Sequence, residues 1–188
     1  ALSIGANTFQ FFTRNPRGGN AKPIDPGDAA ALNRLCHENG FGTLVAHAPY
    51  TLNPSSSDAR VRDFAYRCLA EDLARMENFP GQVYNIHPGS HVGQGIETGV
   101  LQTAELLNDV MTKEQSATLL LETMSGHGSE IGGTFEQIAA LIDRIDRKEK
   151  LGVCLDTCHV FAAGYDVRND LDGVVAEFDR VIGLQWLG

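Results

Sequence analysis

Four short, largely apolar runs in this chain each stop on a residue that can ionise or hold a metal ion. Leu44-Val45-Ala46 stops at His47, Val83-Tyr84-Asn85-Ile86 at His87, Leu119-Leu120-Leu121 at Glu122, and Val153-Cys154-Leu155 at Asp156. Runs this short, bounded by turn residues, read as buried strands rather than helices. An ionisable group at the end of a buried strand is costly unless it is paired, and metal coordination is one common compensation. A single strand-end histidine is ordinarily a satisfied core residue. Successive strand ends of the types His, His, Glu and Asp point instead to one shared site.

Between these runs the spacing is helical. Val61, Phe64, Ala65, Cys68, Leu69, Leu73 and Met76 fall on one face of a long amphipathic helix. Asp25-Pro26 opens an earlier helix as N-cap and first residue, and Gly40 closes it. Helices are also predicted over 96–110, over 135–145 behind a Thr134/Gln137 capping box, and over 170–180. Strands are predicted over 7–12, 41–47, up to His87, over 117–122, up to Asp156, and over 181–187. The glycine-rich stretch 126–133 lacks the spacing of a dinucleotide loop and reads as a flexible connection.

Strand–helix alternation implies parallel pairing with right-handed crossovers. That leaves an open doubly wound sheet or a (β/α)8 barrel. Functional residues at the ends of several different strands favour the barrel, because a doubly wound sheet gathers them at one switch point. A full barrel typically needs about 250 residues, and this chain has 188. The expectation is therefore an α/β fold, an incomplete (β/α)8 TIM barrel holding about strands 2 to 6, with residues 1–188 as a single partial domain.

The chain is 43% hydrophobic with a formal net charge of −9, so nucleic-acid binding would need a local basic surface or metal ions. No apolar run approaches the roughly 20 residues of a membrane span, and no signal peptide is visible. Of the four cysteines, Cys36, Cys68 and Cys154 lie on apolar stripes, which reads as buried reduced thiols in a cytoplasmic protein. His37, His91 and His127 are expected to be solvated or structural.

The segments Phe11-Phe12-Thr13-Arg14-Asn15-Pro16-Arg17, Ala46-His47-Ala48-Pro49-Tyr50, Asn85-Ile86-His87-Pro88-Gly89-Ser90-His91, Leu121-Glu122-Thr123 and the run from Gly152 to Asp166 together resemble the endonuclease IV family. The resemblance implies a zinc-dependent abasic-site endonuclease of base-excision repair, built on a TIM barrel with up to three Zn²⁺, manganese or iron being possible substitutes. It implies that His47, His87 and Glu122 surround one zinc. Glu122, taken also as the catalytic carboxylate, would bridge to a second zinc shared with Asp156, and His159 would serve the third. The family's remaining ligands have no counterpart in 1–188.

The same resemblance implies that Arg17 and Tyr50 enter duplex DNA beside the abasic nucleotide; the basic loop of Arg14, Arg17 and Lys22 adds positive charge at the same rim, so that Asn15 and Arg14 are expected as further DNA contacts. Clustered zinc suits the task, since it supplies hydroxide near neutral pH and clamps phosphodiester oxygens. An abasic nucleotide is also cheap to extrude. Complete family members are expected to be monomeric. Residues 1–188 alone are expected to have weak or absent nuclease activity, and their open sheet edges invite self-association. A metal-dependent barrel sugar isomerase or epimerase, and a non-catalytic partial barrel, are the alternatives.

Overall fold

A computed structural model describes residues 1–17 and 19–188; Gly18, part of the predicted basic loop, lies outside the described residues. Five strands form one parallel sheet: β1 (Gln10–Phe12), β2 (Val45–His47), β3 (Val83–Ile86), β4 (Thr118–Glu122) and β5 (Leu151–Cys154). Their spatial order is β1-β2-β3-β4-β5, the order in the chain. A doubly wound sheet reverses direction at a switch point. This sheet never does, which is the winding of a barrel wall.

Helices α1 (Pro26–Glu38), α2 (Ala59–Met76), α3 (Ile96–Val110) and α4 (Phe135–Arg144) make the crossovers, and α5 (Thr157–Ala162) and α6 (Leu171–Val181) follow β5. Their starts are set by side chains that accept from otherwise unpaired amides. Asp25 accepts from Gly27 N at 2.7 Å, Asp58 from Arg60 N at 2.9 Å, and Asp170 from Gly173 N at 3.0 Å. At α4 the Thr134 side chain accepts from Gln137 N, while the Gln137 side chain reaches back to Gly132 N and Gly133 N.

Strand register sorts side chains onto two faces. Phe11, Ala46, Tyr84, Leu119 and Leu151 share one row, with Ile86, Leu121 and Val153 two residues further along. These point outward, and apart from the half-buried Phe11 they are buried against Leu69, Leu73, Leu107, Ile138, Leu141 and Phe178 of the helices. Each such side chain contributes about 1.5–3 kcal/mol. The opposite face carries Phe12, His47, Asn85 and Leu120 in one row, and Glu122 and Cys154 two residues further on. His87 lies two beyond Asn85, and Asp156 two beyond Cys154. All four strand-end residues thus share a parity and project to the inside of the curved wall.

Three expectations need correction. Residues 181–187 do not form a sixth strand: α6 runs to Val181 and a 3-10 turn covers Leu184–Trp186. Gly183 at φ 100, together with an Asp179 side chain that accepts from Leu184 N at 2.9 Å, curls the chain before Leu187 makes an isolated parallel bridge to Val153. The stretch 126–133 is held rather than free. Glu130 accepts from Ser125 Oγ and His127 N, Met124 N donates to Gly132 O, and Gly126 and Gly133 approach so closely that a Cβ on Gly133 would collide with the Gly126 backbone. Of the cysteines, only Cys68 is buried, while Cys36 and Cys154 are half-buried and Cys158 is exposed. Among the described residues no helix is long and apolar enough to cross a membrane.

Candidate metal centre

At the C-terminal ends of the strands, His47, His87, Asp156 and His159 gather about Glu122. The side chain of Glu122 is the hub and is 6% exposed. Its Oε2 faces His47 Nε2 at 3.2 Å and His87 Nε2 at 3.4 Å, and its Oε1 faces His159 Nδ1 at 3.0 Å. Two groups result, each with one donor atom per residue and all donors within 4.8 Å of one another: His47, His87 and Glu122, and then Glu122, Asp156 and His159. They line a cavity of about 350 Å³ shared with Gln10, Val45, Tyr50, Asn85 and Cys154.

Local structure explains each placement. His47 ends β2, and its ring Nδ1 lies 2.6 Å from the Ala48 carbonyl. Donation from Nδ1–H to that oxygen leaves Nε2 as the ring's free nitrogen, and Nε2 is the atom turned toward Glu122. Asp156 is the N-cap of α5: its Oδ1 accepts from His159 N at 2.7 Å. The Asp-x-x-His spacing is therefore N-cap to third helical residue, which brings both side chains to one end of the helix. The Asp156 N-cap geometry and the Asn85 contact with Glu122 were both missed in the sequence; an acid directly before a short Thr-Cys-His-Val run was the available signal for the cap.

Burial opposes ionisation of Glu122. The hydrogen bond with His47, the close approach and charge of His87 and a bond from Asn85 outweigh it and hold the carboxyl well below the usual carboxylate range. Burial likewise opposes a charge on His47, but hydrogen bonds to Glu122 and to the Ala48 carbonyl leave its pKa raised. The buried Nε2 of His87 has no hydrogen-bond partner among the described residues, although it faces Glu122. Buried polar atoms are rarely left alone. An unpartnered imidazole nitrogen among nitrogen and oxygen donors fits a divalent cation such as zinc.

Tyr50 stands over this group, 56% exposed, with its ring centroid 5.1 Å from His47, 5.9 Å from His87 and 5.3 Å from Phe12. Its amide donates to Pro16 O at 3.1 Å, tying it to the loop that carries Asn15 and Arg17. Arg17 is exposed, and Asn15 Oδ1 accepts from its backbone amide at 2.9 Å. Arg14 departs from expectation. Its side chain is 0% exposed, paired with Asp72 at 2.8 Å and Glu71 at 3.0 Å, and donates to Gly19 O. It is turned away from solvent and braces the loop from beneath, so it is not available to a phosphate. His91 serves structure, its Nδ1 accepting from Gly95 N, while His37 and His127 are exposed.

Burial, and then the charges of Glu122 and Asp156, push the Cys154 thiol up to about 12. Alkylation near pH 8 should therefore modify exposed Cys158 well before Cys154, because only the thiolate reacts. Peptide mass spectrometry after timed iodoacetamide treatment checks this order; equal labelling of the two would contradict it.

Fold and site together define an α/β barrel wall with a candidate metal centre at its mouth. Residues 1–187 match the family described as xylose isomerase-like TIM barrel. A protein of Akkermansia muciniphila named Probable endonuclease 4 is 62% identical over 187 residues, covering 100% of this chain and 68% of its own length. The crystal structure of endonuclease IV from Thermus thermophilus superposes with a TM-score of 0.84 at 30% identity, covering 99% of this chain and 66% of that one. The chain belongs to this barrel family and, within it, to the endonuclease 4 group. It spans about two thirds of the length of those relatives. A D-tagatose 3-epimerase-like protein, with a TM-score of 0.70 at 18% identity, shares the fold alone.

Proposed function

We propose that residues 1–188 act as one partial-barrel unit of a zinc-dependent endodeoxyribonuclease that cleaves the phosphodiester 5′ to abasic sites in duplex DNA, in the cytoplasm. The observation that carries this reading is Glu122 standing between two donor groups, in a chain similar to proteins named endonuclease 4. His47, His87 and Glu122 would hold one zinc, and Glu122, Asp156 and His159 a second position. Zinc so held supplies Lewis acidity toward a phosphodiester and a source of hydroxide near neutral pH.

The chain's own residues supply the rest. Glu122 presents a carboxylate with one oxygen to each donor group. Tyr50 and Arg17 project from two loops joined by the Tyr50–Pro16 hydrogen bond, so that they approach a duplex as one surface. An aromatic ring and a guanidinium on that surface suit a gap left by a missing base, and Arg17 and Asn15 suit backbone phosphate. The alternative epimerase reading has only likeness of fold behind it.

With zinc and an end-labelled duplex holding one abasic site, the protein should nick the damaged strand 5′ to the lesion, slowly. Chelation or Glu122→Ala should abolish the product. Lesion-independent nicking, or epimerisation of a ketohexose in place of nicking, would contradict the proposal.

A further inference from the structure

Asn85 lies on β3 in the row of His47 and Leu120, faces the inside of the wall, and is 3% exposed. Its Nδ2 donates a short hydrogen bond to Glu122 Oε2, the oxygen that also faces His47 Nε2 and His87 Nε2. The amide can be oriented only this way, since the turned-over form would set Oδ1 against a carboxylate oxygen. In this orientation Oδ1 is buried and has no hydrogen-bond partner among the described residues. A leucine, like Leu120 beside it in the row, would fill the position without stranding an acceptor. The unpaired oxygen is the cost of setting the donor against Oε2.

We propose that Asn85 is a positioning residue that fixes the Glu122 carboxylate across both donor groups, an inference that rests on the metal reading above. A histidine nitrogen that holds a cation presents its lone pair to the ion and no longer donates a proton. With a metal held there, His47 and His87 would give up their contacts with Oε2 to act as ligands. The Asn85 amide neither loses its proton nor competes as a ligand through Nδ2, so its bond to Oε2 persists in both conditions. A carboxylate oxygen has room for one hydrogen bond and one cation. With Oε2 pinned, Oε1 is aimed at His159, which stands 3.0 Å away. Asn85 thus holds the carboxylate with one oxygen toward each donor group.

Asn85→Leu keeps the bulk and removes the amide, and Asn85→Ala removes both. Each variant and the parent are stripped with chelator, then titrated with Zn²⁺ against a chromophoric competitor and with Co²⁺ by its d–d absorption. Zinc affinity is expected to fall by about 10–100-fold in both variants, the range for removing a group that supports a ligand. The Co²⁺ spectrum should change in shape, while thermal unfolding of the metal-free protein moves little. Parent-like affinity and spectrum in Asn85→Leu would overturn the inference. Loss of the metal-free fold in both variants would do the same, assigning Asn85 to the scaffold. Failure of the parent itself to bind either ion contradicts the metal reading first and removes this inference with it.

Discussion

Glu122→Gln is expected to lower zinc affinity by more than about 100-fold, beyond the range seen when only a supporting group is lost. The amide has the shape of the carboxylate but no negative charge, and its NH₂ offers no lone pair to a cation. Because Glu122 belongs to both donor groups, one substitution leaves a single neutral carbonyl oxygen to serve the two of them. His159→Ala should behave differently, touching only the group shared with Asp156 and leaving His47 and His87 with their carboxylate. Calorimetric zinc titration separates the outcomes. Glu122→Gln with near-parental affinity would mean that the histidines bind zinc without the hub.

The second large effect lies outside the cavity. Asp72 on α2 is 0% exposed in its side chain and gathers four groups. Its Oδ1 accepts from Arg14 Nε at 2.8 Å and Thr13 Oγ1 at 2.5 Å, with Arg75 Nε at 3.9 Å, and its Oδ2 accepts from Tyr84 OH at 2.7 Å. Burial and then the charge of Asp72 push the Tyr84 phenol well above its ordinary value, keeping it a neutral donor. Asp72→Ala strands two buried hydroxyls, of Thr13 and Tyr84, and leaves the buried Arg14 guanidinium with only the largely exposed Glu71 as counter-charge. Removing one partner of a buried ion pair costs about 3–5 kcal/mol, far more than the pair contributes relative to an apolar replacement.

The same substitution should free the loop after β1. Arg14 donates to Gly19 O, and Arg75 donates to Thr13 O and Lys22 O, so the whole turn that presents Asn15 and Arg17 hangs on this network. Urea unfolding should show the loss, and limited proteolysis should cut first between residues 13 and 25. A change below about 1 kcal/mol, the size of an exposed ion pair, would contradict the assignment.

What could be read in the sequence follows from how local the signal is. His47, His87, Glu122 and Asp156 were legible because a strand end and a period of two place them without reference to anything distant. The order of the sheet was legible too, since functional groups on successive strand ends suit barrel winding. Arg14 was not. A basic residue in a turn-rich loop looks solvated, and its partner Asp72 lies 58 residues away on a helix whose apolar stripe says nothing about one buried acid. Residues 181–187 carried strand-like apolar content, but Gly183 and the Asp179 cap decide the backbone there. Asn85 sat inside a run read as apolar, and only the carboxylate across the sheet shows why it is polar.

The most direct measurement is anomalous diffraction at the zinc edge from crystals of this protein grown with Zn²⁺. A peak bonded to His47 Nε2, His87 Nε2 and a Glu122 oxygen, with any second peak between Glu122, Asp156 and His159, is the predicted result. Crystals in which these side chains converge as described while zinc sits elsewhere, or nowhere, would contradict the account.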